Sequence, residues 1–297
     1  MNSARAGASL LNIFVPLFMA VVAACWFLVA TGRVAPTDPR LLAGVGVALA
    51  AGAAVFLYAA SQARRGRADE VRRLAVSRGW AFAESVPCET LPGFDRFEIF
   101  TGELLRGDGG GPPAAGWKTR RAAENVLRGA GPSGGVEFWA FDLTAESVER
   151  PVGAAGRGSY AETVVCVRAP GLRLPRFAAS PRGVWPGLAA AAGVAEVALD
   201  PQPHPARRYS LRGTEASALR RLFETPALGD LFASGDGLCA EGEGDRLVFY
   251  RHGALLPPDQ LDAFIRESLA AADLFQAAAR QEVSRAETPT AADGPRP

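Results

Sequence analysis

The chain has 297 residues, enough for about two domains of ordinary size. At 48% hydrophobic and 21% charged, with a formal charge of +1, it is not a disordered polyelectrolyte and lacks the basic excess of a general nucleic-acid binder. The apolar residues are unevenly spread: the first sixty positions read as lipid-soluble, and the remainder as a polar-surfaced domain with a polar tail.

After a short N-terminus, residues 1–9, the run from Leu10 to Ala30 (LLNIFVPLFMAVVAACWFLVA) holds 21 residues without a charge. At about 1.5 Å per residue that length crosses a hydrocarbon core of about 30 Å. A second uncharged run extends from Leu41 to Ala60, and the connector TGRVAPTDPR between them contains Pro36 and Pro39. The pattern predicts two transmembrane helices, 10–30 and 41–60, joined as an antiparallel hairpin, so that the lipid bilayer is the partner of Leu10 to Ala60. Arg5 precedes the hairpin and Arg64, Arg65, Arg67, Arg72 and Arg73 follow it, whereas Arg33 and Arg40 of the connector are diluted by Asp38. Basic residues beside a span resist translocation, so both termini and the soluble domain are expected on the cytoplasmic side of the cell membrane.

Two other readings of the N-terminus fit less well. A cleaved signal has a short apolar core and no second span behind it. A lipoprotein signal is hinted at by Val22, Ala23, Ala24 and Cys25, but Trp26, Phe27, Leu28 and Val29 prolong the apolar run where a processed lipoprotein turns polar. Within the second span, Gly44, Ala48 and Gly52 recur every fourth residue. That small face packs either on the first span of the same chain or on a second copy as a homodimer.

The soluble domain is expected over 61–282. SQARRGRADEVRRLAVSRGW continues as an amphipathic helix that stops at Gly79. Its arginines serve as topology signals or touch anionic headgroups. Trp80 to Ser85 alternates as a strand, and Phe94, Phe97 and Phe100 recur every third residue, as a core-facing helical or 3₁₀ turn would place them. The glycine- and proline-rich stretch, about 102–123, predicts a flexible loop. Asn125 to Arg128 then starts a strand, and VEFWAFDL, Val136 to Leu143, is apolar enough to be buried on both faces. Between them GAGPSG matches G-x-G-x-x-G, but it holds Pro132 and leads into a strand, so it reads as a hairpin loop with no nucleotide cofactor.

Further strands are expected at Glu162 to Val167, near Phe177, at Glu196 to Leu199 and at Arg208 to Leu211. Thr214 is the expected N-cap of a helix that turns Ala216, Leu219, Leu222 and Phe223 inward and ends before Pro226. A short turn (LGDLFAS) follows, then a hairpin from Leu238 to Glu241 and Arg246 to Tyr250 around Gly242 and Gly244. Pro257, Pro258 and Asp259 open a last helix with Leu261, Phe264, Ile265, Ser268, Ala272 and Phe275 on one stripe, and 283–297 reads as a disordered tail. Antiparallel strand groups with helices at the beginning, middle and end make the fold class α+β, a mainly antiparallel sheet with flanking helices behind the hairpin anchor.

The order RRLAVSRGWAF, FDRFEIFTG, ENVLRG, EFWAFDL, TVVCVRAPGLRLPRF, RRYSLRG, ALRRLF and EGEGDRLVFYR, covering roughly Arg72 to Phe264, resembles a family of uncharacterised bacterial membrane-anchored proteins. The resemblance implies two N-terminal spans and one cytoplasmic domain. It brings no activity and no catalytic residues.

The search for chemistry yields little. Cys25, Cys88, Cys166 and Cys239 form no C-x-x-C pair, so neither a zinc knuckle nor, in the cytoplasm, a disulfide is expected. His204 lies between prolines and His252 at a hairpin end, and neither stands in a nucleophile-elbow or metal-helix context. Glu241, Glu243 and Asp245, spaced by two, are weak candidates for a hard-cation site. The glycines alternating with them favour a solvated turn instead. Arg207 with Arg208 and Arg220 with Arg221 are basic pairs that read as solvated faces or sites for an acidic partner. The leading expectation is a membrane-tethered binding or scaffold domain with a protein partner, no nucleic acid and no cofactor. The alternative is a membrane-bound hydrolase or transferase whose site is assembled from dispersed residues.

Overall fold

The structure, a computed structural model, describes residues 31, 39–101, 118–132, 134–149, 159–182, 197, 209–233 and 237–287. The chain divides into two units, Met1–Arg73 and Leu74–Pro297.

A single helix, α1 (Pro39–Arg78), runs for 40 residues from a proline suited to a first helical position. After Arg40 it is uncharged from Leu41 through Ala60, and it is rich in arginine beyond that run. Gly79, at φ 68°, closes it as expected: Trp80 N–H donates to Ala75 O at 2.9 Å and Gly79 N–H to Val76 O at 3.3 Å. The expected second span, 41–60, lies wholly inside α1. However, no helix among the described residues is long and apolar enough to cross a membrane. Eight residues of the run 41–60 are alanine and three are glycine. That leaves four Leu, three Val and one Phe, each worth roughly 0.3–0.6 kcal/mol at the centre of a span, to drive insertion. The first expected span, 10–30, and the connector's prolines through Pro36 lie outside the described residues.

The second unit is α+β. Its described strands are β1 (Ala81–Val86), β2 (Lys118–Ala130), β3 (Glu137–Glu149), β4 (Ser159–Arg168), β5 (Leu174–Pro181), β6 (Tyr209–Gly213), β7 (Leu238–Gly244) and β8 (Arg246–Arg251). They form one sheet in the order β1-β2-β3-β4-β8-β7-β5-β6, and every pairing is antiparallel. The helices are α2 (Glu98–Thr101), α3 (Ala216–Phe223), α4 (Pro226–Ala233) and α5 (Pro258–Glu287).

Each face of the sheet has its own cover. The odd-numbered residues of β3, Trp139, Phe141, Leu143 and Ala145, join one cluster with Phe94, Phe97, Ile99 and Phe100. The three phenylalanines are brought together by successive i→i+3 turns, Phe97 N–H to Phe94 O at 3.2 Å and Phe100 N–H to Phe97 O at 2.9 Å. On the other face Phe275 of α5 stacks on Phe177 of β5 with ring centroids 5.3 Å apart, and it also meets Phe223, Phe232 and Phe249. Covered on both sides, VEFWAFDL is buried at every position from Phe138 to Leu143.

Several boundaries differ from expectation. β2 starts at Lys118, because its polar first half, KTRRAAE, has a partner in the second half of β3: Lys118 is in register with Glu149 and Arg120 with Glu146. The N-cap of α3 is Glu215 and not Thr214, whose N–H instead donates to Arg176 O at 3.3 Å beside the sheet. α5 persists to Glu287, past the expected start of a disordered tail at 283, since ARQEVSRAE contains no helix breaker. Of the expected strand 196–199, Val197 is described, and its N–H donates to Leu211 O of β6 at 2.7 Å.

Candidate functional site

The polar residues of β7 and β8 were the chief candidates for chemistry, and the structure divides them. In EGEG, Gly242 faces the helix layer, where a Cβ would sit 2.8 Å from Phe177 Cζ. Glycine here makes room for a ring, so Glu241 and Glu243 point to the opposite face, toward the segment 88–101. The solvated-turn reading therefore fails for Glu241, which is 2% exposed.

Glu241 spends its carboxylate on that segment. Its Oε2 accepts the backbone N–H of Glu98 at 2.6 Å, and its Oε1 accepts the N–H of Ile99 at 3.1 Å. Tyr250 of β8 donates its phenolic O–H to the same Oε1 at 3.0 Å. The carboxylate thus satisfies the first donors of α2, which a helix this short cannot satisfy itself. Beside it the buried carboxylate of Glu98 lies 4.0 Å from the guanidinium of Arg212, on β6. Burial and the neighbouring charge of Glu98 push the Glu241 carboxyl up to about 8, against the pull of its three hydrogen bonds. Burial and the charge of Glu241 hold the Tyr250 phenol well above its ordinary range. Two acids, one arginine and one phenol thus meet inside the protein. Their position, between the sheet and the phenylalanine segment, makes them a fastening for that segment.

The other two acids of the metal candidate are engaged elsewhere. Glu243 pairs with Arg96 at 3.4 Å, and Asp245 lies between Arg168 Nε at 3.1 Å and Arg246 Nη1 at 2.8 Å. Arg246 also donates from Nε to Pro92 O at 2.9 Å. Among the described residues no group of three His, Cys, Asp or Glu could hold a metal ion.

A second buried polar set lies on β2, β3 and β4. Asn125 adopts φ 53°, left-handed for a residue with a side chain, where β2 loses register between Glu124 and Leu127. Its Nδ2 donates to Asp142 Oδ2 at 2.8 Å, and Thr163 donates to Asp142 Oδ1 at 3.3 Å while accepting Leu256 N–H at 2.9 Å. Glu162 accepts the N–H of Gly253 at 2.9 Å. Together these bonds tie the 252–257 connection, and with it the start of α5, to the central strands.

The cysteines suit packing. Cys88, Cys166 and Cys239 are buried free thiols. Burial pushes Cys88 up to about 11 and raises the other two as well, so none is a ready thiolate nucleophile. His252 occupies the turn after β8. His204, Cys25 and the pair Arg207 and Arg208 lie outside the described residues, whereas Arg220 and Arg221 sit on the last turn of α3.

Among the described residues an open cleft of about 630 Å³ lies between the 171–175 loop, the start of α3 and the β7–β8 turn. Arg173, Glu215, Ala218 and Gly244 line it, together with Asp245. Sequence reasoning overlooked both the cleft and the buried node of Glu98 and Arg212. A signal for one half of the node was present, since Glu98 is a charge set inside the apolar run FEIF, whereas Arg212 follows the basic pair Arg207 and Arg208 and carries no such mark.

No family model and no curated protein matches the chain. Among solved structures it is similar to the mycobacterial trehalose monomycolate transport factor A, TtfA, at 12% identity and a TM-score of 0.46, over 73% of this chain and 96% of that one. At so slight a likeness nothing about this chain follows from that protein.

Proposed function

We propose that the protein is a membrane-tethered binding domain: an N-terminal hairpin over 10–60 holds a cytoplasmic α+β domain at the bilayer, and a partner docks at the cleft by α3. On this reading the chain is of a kind with bacterial membrane-anchored proteins that carry two N-terminal spans. The tether rests on the sequence, chiefly on the strongly apolar run 10–30, with 41–60 as a weaker second pass. One observation carries the binding role. The cleft is rimmed by Arg173 and Glu215, both exposed, whereas Asp245 in its lining and the buried Glu241 and Asp142 of the sheet are engaged in hydrogen bonds and ion pairs. A rim carrying one charge of each sign over a mixed lining suits recognition of a polypeptide segment.

Two experiments test this. A reporter active only outside the cytoplasm is expected to be silent when fused after Ala60 and active when inserted near Thr37; the reverse pattern would move the domain outside. A photocrosslinker at Ala218 of the full chain in its own membranes is expected to yield a discrete adduct that Arg173→Glu abolishes. An adduct indifferent to Arg173, or none at all, would remove the cleft from the reading. Deleting 1–60 should abolish complementation of a deletion strain through lost effective concentration, and His252→Ala should not.

A further inference from the structure

We propose that the turn of α1 carrying Arg64 and Arg65 is a lipid-headgroup clamp that binds anionic phospholipid at the bilayer surface. This rests on the tether proposed above and names the lipid class that the tether meets.

The arginines of α1 are sorted by pairing. Arg72 lies 3.5 Å from Asp69 and Arg73 lies 3.9 Å from Glu70, each with an acid one turn before it. Arg64 and Arg65 are exposed, and neither has an acid within ion-pairing reach among the described residues. Arg65 has Asp69 at i+4, but a base preceding an acid is the weaker order on a helix, and Asp69 turns forward to Arg72 instead. The unpaired cations are thus the first pair after the uncharged run, about 6 Å of helix rise beyond Ala60.

The same stretch offers something for an acyl chain. Leu57 is 66% exposed and Tyr58 57% exposed, at the end of the run and one to two turns before the arginines. An exposed tyrosine near the end of an apolar run is the residue type that collects at headgroup level. Bare apolar surface next to paired guanidiniums argues for a lipid and against a free phosphate, which has no use for Leu57. The guanidinium fork fits a phosphodiester with two parallel hydrogen bonds, which an ammonium does not. α1 is continuous through this region, so the two features keep a fixed spacing along one helix.

The test uses the full chain reconstituted in phosphatidylcholine vesicles carrying a trace of spin-labelled phosphatidylglycerol or, in parallel, spin-labelled phosphatidylcholine. Alkaline extraction comes first. A chain washed from the vesicles refutes the tether and this clamp with it; a chain retained tests the clamp alone. The expected result is a several-fold preference for the labelled phosphatidylglycerol in the motionally restricted shell, of order fivefold per arginine at most. That preference should be lost in Arg64→Gln/Arg65→Gln, kept in Arg72→Gln/Arg73→Gln, and left unchanged by inorganic phosphate at matched ionic strength. A wild-type chain without preference overturns the proposal. So does a first double variant that keeps it, a second that loses as much, or competition by phosphate, which would assign the pair to a soluble anion.

Discussion

Tyr250 and Glu241 stand diagonally across the last hairpin, Tyr250 in register with Cys239 and Glu241 with Val248, and the phenol donates to the carboxylate at 3.0 Å. This bond joins the sheet to the acid that holds α2. Tyr250→Phe removes one donor from a buried acceptor and leaves the ring's packing intact. A loss of about 1–3 kcal/mol is expected, read from chemical denaturation of the full chain in mild detergent.

Stability should also respond to pH through Glu241. Its folded carboxyl titrates near 8, above its ordinary range, so between that range and about 8 the folded state keeps a proton that the unfolded chain has released. Stability therefore falls as pH rises through this window, by up to about 1.4 kcal/mol per unit, and levels off above it. Comparing unfolding midpoints from pH 5.5 to 8.5, Glu241→Gln is expected to have the flatter profile. An equally steep decline in the variant would assign the dependence to other groups.

Asn125 separates two effects at one position. Asn125→Ala loses the hydrogen bond to Asp142 and keeps a Cβ at φ 53°, whereas Asn125→Gly loses the bond and relaxes the backbone. Alanine should cost about 2–3 kcal/mol and glycine about 1 kcal/mol less. Equal losses would mean that the backbone conformation carries no strain there.

How much of this was legible in the sequence varies with the distance over which the information acts. α5 was readable from Pro257, Pro258 and Asp259 and from the stripe ending at Phe275, because helix starts and 3.6-residue periodicity are local. Phe94, Phe97 and Phe100 were correctly read as core for the same reason. The pairing of β4 with β8, which sets Val165 against Phe249, was not readable, since two antiparallel strands far apart in sequence carry no mark of their match. EGEG was misread because alternation with glycine suits either a solvated turn or a strand pressed against a ring. Only the position of Phe177 decides between them.

Gly213 makes that dependence measurable. A Cβ there would meet the backbone O of Arg176 at 2.5 Å and would collide with Leu219 Cδ1. The carbonyl belongs to the paired strand β5 and cannot give way as a side chain could. Gly213→Ala is expected to cost about 3 kcal/mol or more by forcing α3 off the sheet edge, visible as a lowered melting temperature of the full chain. Leu219→Ala should therefore cost less on top of Gly213→Ala than it does alone, because the added methyl fills part of the space it vacates.

The strand order carries a consequence for how the chain is made. β1 to β4 pair with their sequence neighbours and can zip up while synthesis continues, but β8, which closes the sheet between β4 and β7, is the last described strand to be written. Until Arg246–Arg251 emerges, β4 presents a bare edge, and its sequence TVVCV is as adhesive as any in the domain. The nascent chain thus passes through an interval of vulnerability to wrong partners that ends only with its final hairpin. Truncations between β4 and β8 should go to aggregates, while the ribosome's own delay sets how long each new molecule is at risk.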